Sequence, residues 1–244
     1  GRQVALGNEK EQDTAWMKYV EACTIESKAT TEPADIKIEV ARGGEYKIRL
    51  EDGTTVWLNS ESSLIYPEKF TGDKRAVRLS GEGYFEVARD EKKPFIVSVT
   101  DMEIKVLGTK FNVTAYQDEK MTTTTLISGA VEVVTPHRSV QLQPGKQAMV
   151  QEGGDDITVL DVELATSWTA GIFKFDKMAL TDICTRLSRW YDIDFVFEGE
   201  TGKEKFTGGT WKYVPLKDFL SKIERVTNVL FLFENNTVKV VPKK

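Results

Sequence analysis

The sequence predicts a mainly β protein: an all-β domain, folded as an antiparallel sandwich or roll, followed by a small α+β domain of order β-α-β-β-α-β-β. Three observations carry this. Between Leu79 and Val113, four short runs alternate in character every second residue: Phe85 and Val87 about Glu86, Phe95, Val97 and Val99 about Ser98, Ile104 and Val106 about Lys105, and Phe111 and Val113 about Asn112. Period two sends successive side chains to opposite faces, so each run buries one face and wets the other. Polar or Gly-bearing breaks at Asp90–Pro94, Thr100-Asp101 and Gly108-Thr109 separate the runs at the spacing of an all-β domain. At about Leu164 the period changes, and two stretches with apolar residues three and four apart appear.

In chain order, residues 1–35 are polar and weakly patterned and read as a linker or stem. Trp16, Tyr19, Val20 and Cys23 fall at helical spacing, so Asp13–Ala22 is a candidate short helix, with loop from Lys28 onward. Residues 36–165 contain about fourteen candidate strands. Asp52-Gly53 between two alternating runs predicts a tight hairpin, because a type I′ turn needs positive φ at both central residues. Thr71–Lys74 is a second turn, and Ala76–Ser80 and Phe85–Val87 read as separate strands. Pro136 and Pro144 fall at breaks, where a missing N–H harms no ladder.

Residues 166–244 form the second domain. Ile172–Phe175 is a strand; Leu180, Ile183, Cys184, Leu187, Trp190 and Tyr191 mark one amphipathic helix. Pro215 opens another, with Leu216, Phe219, Leu220, Ile223 and Val226 as its core face. Ile193–Phe197 and Glu204–Gly209 are strands between the helices, and Leu230–Phe233 and Val238–Val241 close the chain as a hairpin. This lobe has a small core and is expected to lean on the β domain, with Trp168 near the junction.

Composition excludes several functions. Forty per cent of the 244 residues are hydrophobic, and no run approaches the roughly 20 apolar residues of a membrane span. Lys and Arg number 33 against 38 Asp and Glu, a net −5 without a basic cluster, so nucleic acid is not an expected partner. The two cysteines, Cys23 and Cys184, have no CxxC partner, and Cys184 on an apolar helix face acts as a small hydrophobe. The lone histidine, His137, sits in a turn beside Pro136, where neither a triad nor a zinc site would be built. The pairs Asp90-Glu91, Asp118-Glu119 and Asp155-Asp156 also lie in turns, and adjacent loop carboxylates solvate a turn more readily than they converge across a cleft as a hydrolase needs. Asp155-Asp156 lacks the spaced oxygens of a calcium loop, and Gly208–Lys212 lacks the spacing and following helix of a phosphate loop. No enzyme activity, metal or cofactor is expected. Trp57 and Trp211 leave a carbohydrate-binding β module as the alternative.

Longer segments carry a resemblance. ARGGEYKIRLEDGTTVWLNSESSLIYPEKF, RLSGEGYFEVARDEKKPFIV, VLGTKFNVTAY, and the pairing of TTLISGAVEV with LQPGKQA resemble the FecR family of anti-sigma regulators. The segment WTAGIFKFDKMALTDICTRLSRWYDIDFVFE is similar to the family's C-terminal domain, itself similar to the short N-terminal domain of secretins and TonB-dependent transducers. Gly83 stands where the family often has Ala. The resemblance implies a periplasmic relay: the signalling domain of a TonB-dependent outer-membrane receptor engages the C-terminal part, and an extracytoplasmic-function sigma factor is released. That sigma factor would be held by a cytoplasmic segment preceding one inner-membrane helix, neither of which these residues include, so the chain is expected to be the periplasmic part alone. Within it, Phe206, Thr210, Trp211 and Tyr213 are the candidate partner-binding residues, because Gly208-Gly209 interrupts their strand and aromatics anchor interfaces.

Overall fold

The computed structural model describes residues 23–27, 35–100, 102–154, 157–161 and 166–243. The candidate helix Asp13–Ala22, the loop after Ser27 and the pair Asp155-Asp156 lie outside the described residues. The chain divides into two compact units, Gly1–Ala165 and Thr166–Lys244.

The first unit is all β among its described residues. In order the strands are β1 (Cys23–Ser27), β2 (Asp35–Val40), β3 (Tyr46–Arg49), β4 (Thr55–Leu58), β5 (Ser62–Pro67), β6 (Arg75–Glu86) and β7 (Phe95–Ser98). β8 (Glu103–Val106), β9 (Lys110–Ala115), β10 (Met121–Ser128), β11 (Val131–Val134), β12 (Ser139–Leu142), β13 (Lys146–Gln151) and β14 (Ile157–Asp161) follow. β1 falls within the stretch read as linker and pairs antiparallel with β2, Ile25 opposite Ile38. Its backbone joins a sheet although its sequence alternates too briefly to signal a strand.

β6 organises the unit. The sequence reading splits it into two strands, but it runs unbroken for 12 residues. Its first half pairs with β5 and β7, and its second half pairs with β4 and β9. One strand thus belongs to two sheets: β1-β2-β5-β6-β7-β8-β11-β12 and β3-β4-β6-β9-β10-β13-β14. The passage falls at Gly81, whose φ is +94°, and a Cβ there would lie 2.4 Å from Ser62 Oγ and 2.7 Å from Ser62 Cα. Glycine is what lets the corner close. Among the described residues of this unit, all pairings are antiparallel except β6 with β7, which is parallel.

Between the sheets the core is continuous. Phe85 of β6, Phe95 of β7 and Phe111 of β9 are fully buried. Phe85 stacks on Phe111 at 5.0 Å and tilts against Phe95 at 6.3 Å, so one ring bridges both sheets. Each such side chain contributes about 1.5–3 kcal/mol by leaving water.

The Asp52-Gly53 hairpin forms with a different turn. Leu50 O accepts from Gly53 N–H at 3.0 Å, and Leu50 N–H donates to Thr54 O at 2.8 Å. Gly53 alone has positive φ, +85°, which is a three-residue loop with a glycine bulge in place of type I′. Asp52 keeps an ordinary φ because its carboxylate is engaged: Oδ1 accepts from Thr54 N–H at 3.0 Å, and Oδ2 accepts from Thr54 Oγ1 and Arg75 Nη1, both at 2.7 Å.

The second unit opens with a 3₁₀ turn, Ser167–Ala170, then β15 (Ile172–Ala179), α1 (Leu180–Tyr191), β16 (Asp194–Phe197), β17 (Lys205–Trp211), α2 (Leu216–Arg225), β18 (Val229–Glu234) and β19 (Thr237–Pro242). The order is the expected one, but the strands form two sheets: an antiparallel pair β15-β17, and β16-β19-β18 with β16 parallel to β19. Both helices are buried along one stripe, Leu180, Ile183, Cys184, Leu187 and Trp190 on α1, and Leu216, Phe219, Leu220 and Ile223 on α2. α1 touches β15 and β16; α2 touches β18 and, through Phe219 at 5.9 Å from Phe175, β15. Two short sheets therefore share one helical layer as their core. Val226, expected on the buried face, is 75% exposed, because α2 ends at Arg225 and the chain turns away before the next helical position is covered.

Candidate functional site

The four candidate residues lie on β17 and the turn after it. Two of them face inward and two outward. β17 pairs with β15 in the register Ile172–Trp211, Phe173–Thr210 and Phe175–Gly208, and after a bulge Met178–Phe206. Phe173 and Phe175 are buried, so Thr210, Gly208 and Phe206 share their inner face, with Thr210 and Phe206 half-buried. Trp211 points to the opposite face and is 60% exposed; Tyr213, in the turn, is 51% exposed. The structure thus brings Phe206 and Thr210 together and separates them from Trp211 and Tyr213.

The turn is held from below. Trp190 Nε1 donates to Lys212 O at 2.7 Å, and Tyr191 Oη donates to Lys212 O at 3.1 Å or to Val214 O at 2.5 Å. The Tyr213 ring meets Trp190 edge-on at 5.9 Å. Lys212 is fully buried, its Nζ 3.7 Å from the Trp190 ring centroid and 5.6 Å from those of Trp168 and Phe173. A desolvated ammonium over π faces gains from the ring quadrupoles. Trp168 is therefore part of an aromatic box within its own unit. Alternation at residues 211 to 213 drives Lys212 inward and leaves its two aromatic neighbours outside.

Inward of β17 lies a groove of about 190 Å³ between that strand and α2. Its walls are mostly apolar, with Phe175, Phe206, Phe219, Ile223 and Val226 joined by Thr207 and Thr210, and Lys222 is the one charged lining residue. Gly208 contributes no side chain, and the position its Cβ would take is open space. The helix residues were visible in the sequence only as a core stripe; nothing in their spacing told which of them would be left at a rim.

Other candidates resolve simply. Cys184 is free and buried, and burial pushes its thiol up, away from the reactive thiolate. His137 is exposed in the turn after β11. Asp90 Oδ1 accepts from Lys92 N–H, and Glu91 pairs with Arg89 at 2.6 Å. Among the described residues no group of three or more His, Cys, Asp or Glu could hold a metal, and no helix is long and apolar enough to cross a membrane.

Trp57 is not an open platform for a sugar. It is half-buried, Lys47 Nζ sits 4.1 Å from its ring centroid, and Tyr84 meets it edge-on at 5.3 Å. Burial first, then the charge of Glu86 and a hydrogen bond to it, push the Tyr84 hydroxyl up to about 12. An unfolded tyrosine ionises near ~10, so as pH rises above ~10 the unfolded chain sheds a proton that the folded chain retains. The stability tied to Tyr84 is complete below that pH and declines as pH climbs toward 12. Urea midpoints at alkaline pH should fall less steeply for Tyr84→Phe than for the wild type; equal slopes would contradict this.

The fold defines the class: an all-β domain joined to a βαββαββ lobe whose two-stranded sheet ends in an open strand edge. The FecR protein family model matches residues 36–132, and the model for the FecR C-terminal domain matches residues 172–240. The chain belongs to the FecR family. Two crystal structures of a "putative anti-sigma factor" from Parabacteroides distasonis ATCC 8503 are similar to it. Both show 30% identity and a TM-score of 0.80; the alignments cover 85% and 86% of this chain and 99% and 100% of the others. No curated protein matches.

Proposed function

We propose that this chain is the periplasmic, signal-receiving part of a membrane-anchored anti-sigma factor. In this reading the signalling domain of a TonB-dependent outer-membrane receptor docks on the C-terminal lobe, and the change passes to an extracytoplasmic-function sigma factor held across the inner membrane. Membership of the FecR family and the likeness to a protein described as an anti-sigma factor support the regulatory part. The carrying observation is β17: among the described residues an edge strand with one neighbour, bearing exposed Trp211 and followed by exposed Tyr213. Exposed aromatics on a held backbone are what interface anchors require.

Trp211→Ala removes a side chain that buries little in its own lobe, so the variant should fold as the wild type does. Its affinity for the cognate receptor's signalling domain, measured by calorimetry, is expected to drop about 30-fold, the effect of a hot-spot side chain worth about 2 kcal/mol. Unchanged affinity in the folded variant would remove Trp211 from the interface.

A further inference from the structure

We propose that the groove between β17 and α2 receives an extended segment of the partner protein. The segment adds to β17 as the third strand of the two-stranded sheet, places an apolar side chain in the space beside Gly208, and sets a carboxylate on Lys222. This deepens the relay reading and rests on it for the occupant being a protein.

Three observations converge on that occupant. The first is the backbone. Lys212 N–H donates to Gly171 O at 2.8 Å, toward β15. Antiparallel alternation then turns Thr210 and Gly208 toward β15, and aims the N–H groups of Gly209 and Trp211 at the open edge. An edge of this kind pairs with an incoming strand.

The second is shape. A strand laid along that edge carries every second side chain over the inner face, above Phe219 and Val226. Gly208 leaves vacant the position that any other residue would fill, and Val226 is 75% exposed at the groove's far wall. Burying both against one aliphatic or aromatic side chain removes apolar surface from water on each partner.

The third is charge. Lys222 is exposed at the rim and has no ion pair or hydrogen bond among the described residues. The lobe from Thr166 to Lys244 carries 13 Lys and Arg against 10 Asp and Glu, in a chain that is net −5 overall. A lone ammonium beside an apolar slot selects for a segment bearing Asp or Glu and against one bearing Lys or Arg.

The test is a selection from a random dodecapeptide library displayed on phage, with the full chain immobilised. Enriched peptides are expected to alternate apolar residues and to carry an acidic residue at one recurring position. Their synthetic forms should bind at least tenfold more weakly to Lys222→Glu and to Val226→Glu, both surface substitutions. Hydrogen exchange at the Gly209 and Trp211 amides should slow when they bind. No enrichment, enrichment without an acidic residue, or affinities indifferent to both substitutions would overturn the proposal.

The receptor's signalling domain, titrated in parallel, separates the two readings. If it binds but ignores Lys222→Glu and Val226→Glu, the groove proposal fails and the relay stands. If acidic peptides need the groove while the receptor domain does not bind, the relay fails and the groove stands.

Discussion

Arg75→Met is expected to cost the β unit about 3–5 kcal/mol, the penalty for removing one partner of a buried ion pair. Arg75 is 2% exposed, and its guanidinium joins three segments distant in sequence. Nη1 donates to Asp52 Oδ2 at 2.7 Å and to Ala88 O at 2.8 Å, and Nε donates to Lys93 O at 2.9 Å. Its carbon lies 5.4 Å from the Phe95 ring centroid, while Nη2 has no hydrogen-bond partner among the described residues. Methionine fills much of the same volume but leaves the Asp52 carboxylate and two carbonyls facing an apolar side chain. Each stranded acceptor costs about 1–3 kcal/mol. A marginal domain has only about 5–15 kcal/mol in total, so the urea midpoint should move far. Arg75→Lys retains the charge but can satisfy fewer acceptors, and should fall between the two. A midpoint for Arg75→Met within experimental error of the wild type would show that the hairpin and the parallel pair are held by packing alone.

Lys212→Ala is expected to destabilise the second unit by about 3 kcal/mol. It empties the middle of the Trp168, Phe173 and Trp190 box and removes a cation worth about 2 kcal/mol when desolvated. Lys212→Met separates those contributions: it restores most of the volume and should recover about half of the loss. Full recovery by methionine would mean the box needs only bulk. The same substitution has a second readout. The carbonyl of residue 212 still accepts from Trp190 and Tyr191, so partner affinity should survive Lys212→Met far better than Trp211→Ala.

Much of the fold was legible because burial on one face leaves a periodic trace. The runs about Glu86, Ser98 and Lys105 declared strands, and Leu180 to Trp190 declared a helix, without reference to any neighbour. What the trace could not show is pairing. Ala76–Ser80 and the run about Glu86 read as separate strands, whereas β6 is one strand that bends at Gly81 and is shared by two sheets, which depends on Ser62 lying against Gly81. The Asp52-Gly53 turn was placed correctly and typed wrongly, because Arg75, 23 residues on, claims the aspartate.

The candidate site was legible to the same extent. Phe206, Thr210, Trp211 and Tyr213 stood out by composition, and all four lie on or just after one edge strand. Their division between two faces follows from the register with β15, which no single-strand pattern contains. The exposure of Val226 at the groove's wall was unreadable for a related reason: helical spacing says which residues share a stripe, not where the stripe runs out of neighbours.

By itself the sequence determined the period of most segments, hence the type and order of most elements and the greater part of the side chains that must leave water. Those follow from local geometry and the cost of wetting apolar surface, and both act residue by residue. Tertiary structure alone decided which strand edges stay open, which buried cations find rings and carbonyls, and where a groove remains between a strand and a helix. Those outcomes are set by which distant segments meet, and one chain's local pattern is compatible with many such meetings.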